Sequence, residues 1–161
     1  MARYFKKSVA ALAGYEPPPQ EHVRAKLNQN ESPFDLPEEF KREVIAEAAA
    51  LSWNRYPASE SGALKNALAA RYRLQPEQIL PGNGSNQLLQ TLLTAVIEPG
   101  DGLLFFPPTF GLFDLFATIN GADKTAILCP PGRPFPLEQA LAAIRTRAPK
   151  LILLCSPDNP T

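Results

Sequence analysis

Three features of this sequence predict an α/β fold with a mainly parallel sheet. Short apolar runs at Leu103–Phe106, Thr125–Leu128 and Leu151–Cys155 alternate with amphipathic helical stretches, the pattern of strand–helix–strand units. The runs are followed by polar or aromatic residues, Pro107–Phe110 and Ser156–Asn159, where ligands sit in such sheets. A glycine-punctuated turn, Pro81-Gly82-Asn83-Gly84, leads into a long helical pattern over 85–97.

The elements follow in order. Residues 1–13 read as a weak amphipathic helix ending at Gly14, and Tyr15-Glu16-Pro17-Pro18-Pro19 must be extended, because each residue before a proline is driven out of the α region. The polar stretch Lys26–Phe34 suits either a surface loop with Asx turns or a loop lining a substrate. Pro37-Glu38-Glu39 opens a helix, with proline at its start and acids in its first turn, running to about Leu51 with Phe40, Val44, Ile45 and Ala48 on one face. Trp53-Asn54-Arg55-Tyr56-Pro57 breaks it. Ser61 is placed to cap a helix over 62–73 with Leu64, Ala67, Leu68 and Tyr72 inward. Ile79–Leu80 is expected as a short strand before the glycine turn. Further helices are predicted around Leu112–Ile119, ending near Gly121, and over Leu137–Arg147 with Leu137, Leu141 and Ile144 inward.

The turn before the helix at 85–97 carries the first candidate site. Ser85 stands as an N-cap, Leu88, Leu89, Leu92, Leu93, Val96 and Ile97 make one apolar face, and the glycines let an anion approach the backbone. The same residues also serve an ordinary strand–helix turn. A Walker A loop is excluded, since no Gly-Lys-Ser/Thr follows. A dinucleotide turn is excluded too, since Gln87 holds the place of its third glycine.

Composition narrows the function classes. The 161 residues are 45% hydrophobic, enough for the core of one domain, and the formal net charge is zero, which offers no electrostatic footprint for nucleic acid or an anionic membrane. No apolar run is long enough to span a bilayer, and Val9–Ala13 is too short for a signal-peptide core. Cys129 and Cys155 form no C-x-x-C, and with the single histidine, His22, they make no zinc site; a reduced, cytoplasmic protein is expected. The sequence holds 18 prolines, so many of its connections are short and rigid.

The motifs LNQNESPFDLP, WNRYP, LPGNGSNQ, PPTFGLF and CSPDNPT, in this order, resemble the fold-type-I pyridoxal-phosphate aminotransferases of class I/II, most of all their histidinol-phosphate aminotransferase branch. The resemblance runs from Tyr15 to Thr161. It implies an N-terminal arm and substrate-lining loop at 1–36, and at 37–161 the first part of the large pyridoxal-phosphate-binding domain. It implies pyridoxal 5'-phosphate as cofactor, an amino donor and a 2-oxo acid as substrates, and a homodimer with shared sites. By the same resemblance, Ser85 and Asn86 hold the cofactor phosphate, and Phe110, where the family more often has Tyr, stacks on the pyridine ring. Asn159 meets the phenolic oxygen, Tyr56 reaches the neighbouring subunit's phosphate, and Tyr15 and Asn30 lie near the substrate. Asp158 stands where the family often has Asn.

Transamination also needs a Schiff-base lysine, an acid at the pyridine nitrogen and an arginine for the substrate carboxylate. In the family all three follow the N-P-T-G run, and Lys150, which precedes the last predicted strand, matches none of them and reads as solvated. The expectation is therefore a fragment, inactive alone, of an enzyme moving an amino group between L-histidinol phosphate and 2-oxoglutarate. The alternatives are another class I/II aminotransferase, a threonine-phosphate decarboxylase, or a non-catalytic truncated module that dimerises or binds phosphate.

Overall fold

The computed structural model describes residues 4–12, 24–57 and 61–159. The chain divides into two compact units, one made of residues 1–13 with 81–161 and the other of residues 14–80.

The first unit is built on three parallel strands, β1 (Gly102–Phe105), β2 (Asp123–Ala126) and β3 (Leu151–Leu153), in the order β2-β1-β3. Leu103 pairs with Lys124 on one side and Leu151 on the other, so β1 is the central strand. Its sequence is apolar on both faces because both faces are covered. In β1, Leu103 and Phe105 point to one face and pack with Leu93 and Ile97 of α4 (Gly84–Val96) and its C-cap, and with Phe113, Phe116 and Ala117 of α5 (Leu112–Asn120). Leu104 and Phe106 point to the other face and pack with Ile127 and with Ala140 of α6 (Leu137–Arg147). Helices on both faces of a parallel sheet make this the α/β layer that the sequence predicts.

The boundaries of α5, α6, β1 and the start of β3 lie close to the sequence expectation, while β2 starts earlier and ends at Ala126. The inward face expected for α6 is corrected, since Leu137 and Ile144 are exposed and the small Ala140 is the buried residue that packs on the sheet. Gly121 closes α5 in the left-handed conformation, φ 73°, which only glycine adopts without strain. Of the expected helix at 1–13, the described residues keep only the single turn α1 (Lys7–Ala10), which packs on α5.

The second unit contains α2 (Glu38–Ala50), α3 (Gly62–Tyr72) and a 3₁₀ turn, Pro76–Gln78, which packs against α3. Pro37 sits at the N-cap of α2, with Glu38 and Glu39 in the first turn. Two expectations are corrected here. Ile79–Leu80 forms no strand: the preceding 3₁₀ turn and the following Pro81 leave two residues with no neighbouring strand to pair with, and Leu80 is exposed. The inward face expected for α3 is not covered either, since Leu64 and Tyr72 are exposed and Ala69 is its buried residue. Ser61 occupies the N-cap of α3 but makes no side-chain capping bond.

Candidate functional site

The N-terminus of α4 is open. Its cap is Asn83, one turn-residue before Gly84, so Ser85 is not the cap but lies within the first helical turn. No side chain caps the helix. Instead Gln87, four residues on, reaches back so that its Oε1 accepts the Asn83 N–H at 2.6 Å, and the Gly84 N–H donates to the Gly82 carbonyl at 2.9 Å. Gly82 is pressed against the helix, since a Cβ there would lie 2.7 Å from Leu88 Cδ2. Gly84 has φ +81° and nothing within 4 Å of where a Cβ would stand, so this side of the turn is clear. Ser85 and Asn86 are exposed, and neither side chain hydrogen-bonds within the described residues. A hydroxyl, an amide and the unclaimed N–H groups of a helix of this length suit an anion, with the helix dipole adding its positive end.

At the carboxyl edge of the sheet the loops after all three strands converge. The loop after β1 carries Thr109 and Phe110. Phe110 is half-buried and meets Phe113 edge to face, with ring centroids 5.8 Å apart and planes at 86°. The Thr109 hydroxyl donates to Asp158 Oδ1 at 2.7 Å, which ties the β1 loop to the loop after β3. The same Oδ1 accepts the Asn159 N–H at 2.8 Å. From the loop after β2, the Cys129 N–H donates to the Pro107 carbonyl at 2.7 Å. Burial raises the Cys129 thiol above its ordinary value, with the Asp158 charge adding to the effect, so this sulfur stays protonated and unreactive at neutral pH. Asn159 is half-buried, and its side-chain amide makes no hydrogen bond within the described residues. The sheet edge therefore presents an aromatic ring and an amide donor. The open first turn of α4 separately presents a hydroxyl, an amide and backbone N–H donors, a chemistry suited to an anion.

Of the remaining residues singled out in the sequence, some belong to the other unit, some fall outside the described residues, and Lys150 lies at the far edge of the sheet. Tyr56 is fully exposed and lines an open cavity of about 350 Å³ with Trp53, Asn54, Arg55 and Pro57. Asn30 is exposed with φ 54°, a left-handed conformation that asparagine tolerates. Tyr15, like the tripeptide Pro17–Pro19, His22 and the terminal Pro160-Thr161, lies outside the described residues. Lys150 is half-exposed and ion-paired rather than simply solvated, its Nζ 2.6 Å from Asp101 at the amino edge of the sheet, opposite the site. Lys124 is held by Asp114 and Thr118.

The sequence assigns no partner to Thr109 or Asp158, whereas Gln87, with Ser85 and Asn86, is expected from its place in the first turn of the helix to satisfy orphan backbone N–H groups, and it takes one of them. Gln87 had a readable signal, a carboxamide four residues after Asn83 on a helix. The Thr109–Asp158 bond had none, since it joins residues 49 apart in sequence.

The sequence matches the family described as aminotransferase class I and II over residues 24–161. It is similar to the histidinol-phosphate aminotransferase of Thermococcus gammatolerans, 34% identical over 87% of this chain and 40% of that protein. The Pyrococcus furiosus enzyme of the same name is 36% identical over 87% of this chain and 40% of its own length. Among solved structures, the histidinol-phosphate aminotransferase of Sinorhizobium meliloti in complex with pyridoxal-5'-phosphate superposes with a TM-score of 0.67 at 28% identity, covering 74% of this chain and 32% of that one. A Thermus thermophilus aspartate aminotransferase variant superposes with a TM-score of 0.73 at 25% identity, over 99% of this chain and 43% of that one. The chain thus spans about two fifths of the length of these curated relatives. With the strand–helix layer, the open helix N-terminus and the aromatic–amide sheet edge described above, this chain belongs to the class I and II aminotransferases, fold-type-I transferases that use pyridoxal phosphate.

Proposed function

We propose that the protein transfers an amino group between L-histidinol phosphate and 2-oxoglutarate, a step of histidine biosynthesis. The observation that carries this reading is the name shared by the relatives that align across nearly the whole chain, histidinol-phosphate aminotransferase, at 31–36% identity. In this reading residues 1–36 are an arm and substrate-lining loop, and 37–161 belong to the large cofactor-binding domain. The cytoplasm is the setting that suits two free cysteines.

Ser85, Asn86 and the first-turn N–H groups of α4 would hold the cofactor's phosphate, where their donors and the helix dipole meet its negative charge. Phe110 would lie against the pyridine ring, and the Asn159 amide would donate to the phenolic oxygen. Bound there, pyridoxal phosphate supplies the electron sink that amino-group transfer requires. Tyr56 would complete the phosphate site of a neighbouring copy in a homodimer. Asn30 and Tyr15 would face the substrate. The residues assigned here bind and orient; none of them is a lysine, and the two lysines next to the sheet, Lys150 and Lys124, are engaged away from its carboxyl edge by Asp101 and Asp114. The 161 residues by themselves are therefore inactive in this reading.

A panel of amino donors offered to the complete protein with 2-oxoglutarate tests it. L-histidinol phosphate should give the highest kcat/KM, and glutamate should appear as product. Preference for another amino acid would replace this reading with a broader class I/II aminotransferase. Release of carbon dioxide from threonine phosphate would replace it with a decarboxylase. Turnover by the 161-residue polypeptide alone would overturn the claim that it is inactive.

A further inference from the structure

One carboxylate oxygen at the sheet edge gathers both elements that the preceding reading assigns to the cofactor's ring. Asp158 Oδ1 accepts the Thr109 hydroxyl at 2.7 Å and the Asn159 N–H at 2.8 Å. Thr109 directly precedes Phe110, so the bond holds the residue next to the stacking ring, while the second bond sets the backbone of the amide donor. The bridge spans 49 residues and joins the loop after β1 to the loop after β3. Both partners are half-buried, where a hydrogen bond to a charged acceptor is stronger than in open water.

We propose that Asp158 is a positioning residue, which locks Phe110 and Asn159 at a fixed separation so that one faces the ring and the other the phenolic oxygen of the same bound molecule. The proposal rests on the cofactor assignment above but adds a role for Asp158 and Thr109, neither of which touches the cofactor in that assignment. Without the bridge each loop keeps its strand but loses its register against the other. Ring and amide then have to be brought together at the moment of binding, and that ordering cost weakens the complex. The phosphate cradle on α4 is separate from the bridge, so phosphate alone should not feel the change.

The test is a titration of the complete protein with pyridoxal phosphate, followed by its visible absorption band, with inorganic phosphate as competitor. Asp158→Ala and Thr109→Val should each raise the Kd for pyridoxal phosphate roughly five- to tenfold and shift the absorption band. The double variant should be no worse than the poorer single one, because both remove the same bridge. Asp158→Asn keeps an acceptor oxygen and should restore wild-type binding. The competition constant of inorganic phosphate should be unchanged throughout. Wild-type affinity and an unshifted band in both single variants would overturn the proposal. So would a parallel loss of phosphate binding, which marks a structural role only. Failure of the unsubstituted protein to bind pyridoxal phosphate would instead strike the cofactor assignment itself, and the proposal with it.

Discussion

The two units of this chain use apolar residues differently. In the sheet unit the central strand is covered on both faces: Leu93, Leu103 and Leu104 are fully buried, with Phe105, Phe113 and Phe116 on the face of Leu103, while Leu137, Ile152 and Leu154 toward the margins of the unit stay exposed. In the unit at 14–80 an equally clear pattern stays open. Phe40 is 47% exposed, Ile45 66% and Trp53 81%, and Ala69 is the one buried hydrophobic residue described there. A helical periodicity states which face is apolar but not what covers it. In the sheet unit the cover follows within a few residues, because each crossover returns its helix to the sheet. In α2 the face Phe40–Val44–Ile45 has no such return among the described residues.

The sharpest way to break this comparison is to truncate one residue in each unit. Leu104 lies in the central strand between two covered faces, and Leu104→Ala should cost about 2–5 kcal/mol through lost transfer energy and the cavity left behind. Ile45→Glu on the open face of α2 should stay within about 0.5 kcal/mol, as a surface change that keeps a helix-forming residue. Urea unfolding of both variants measures the difference. A cost at Ile45 approaching that at Leu104 would mean that the face is covered in solution, and native-state hydrogen exchange as slow in α2 as in β1 would say the same.

What was legible in the sequence follows the same division. The strands and α5 are readable because their periodicity, the closing Gly121 and the prolines all agree, and because Phe113, Phe116 and Ala117 find their cover locally in the chain. The bounds of α6 are readable but its face is not, since it buries Ala140 and leaves Leu137 and Ile144 exposed. Ile79–Leu80 looked like a strand on apolar content alone, but a strand exists only with a neighbour to pair with. The cap of α4 was misplaced at Ser85 because serine is the common cap. Here the helix begins one residue after Asn83, and the Gln87 carboxamide, whose spacing from Asn83 is readable, takes the Asn83 N–H. At the candidate site, Phe110 and Asn159 could be nominated from motifs. The Asp158 carboxylate that joins their loops could not, since a bond across 49 residues leaves no local trace.

A smaller effect concerns two helix ends, one in each unit. Arg73 closes α3 with φ 57° and Ala148 closes α6 with φ 44°, both left-handed and both carrying a Cβ that glycine lacks. Arg73→Gly and Ala148→Gly should each relieve strain, with a net gain of about 0.5–1 kcal/mol after the entropy that glycine adds to the unfolded chain. For Ala148 the gain should appear in the main unfolding transition, because α6 packs on the central strand through Ala140. For Arg73 it should appear there only if the unit at 14–80 unfolds together with the sheet. A separate, earlier transition that alone responds to Arg73→Gly would establish that the two units melt independently.

The smallest effect is electrostatic and again has one member in each unit. Asp101 lies below the ordinary carboxylate range because Lys150 donates to it and, less strongly, because the Glu98 N–H does. Asp35 is lowered in the same way by Lys41 and then by the Leu36 N–H. A carboxylate whose pKa is lower in the folded state contributes stability above its unfolded value, near pH 4, and loses it as pH falls through the folded value. Lys150 and Lys41 are raised by these same partners, so their share is present at neutral pH and is lost as pH climbs above the ordinary lysine range. Both pairs are solvent-accessible and screened by salt, so the changes will be small. They should nonetheless differ. Asp101 and Lys150 are 49 residues apart and join the turn before β1 to the residue that enters β3, whereas Asp35 and Lys41 are six apart at the start of one helix. Asp101→Asn should therefore move the midpoint of acid unfolding, followed by circular dichroism at low salt, further than Asp35→Asn does. Equal shifts would mean that closing the longer loop gives the Asp101 pair no advantage, and that the acid response is set by local charge alone.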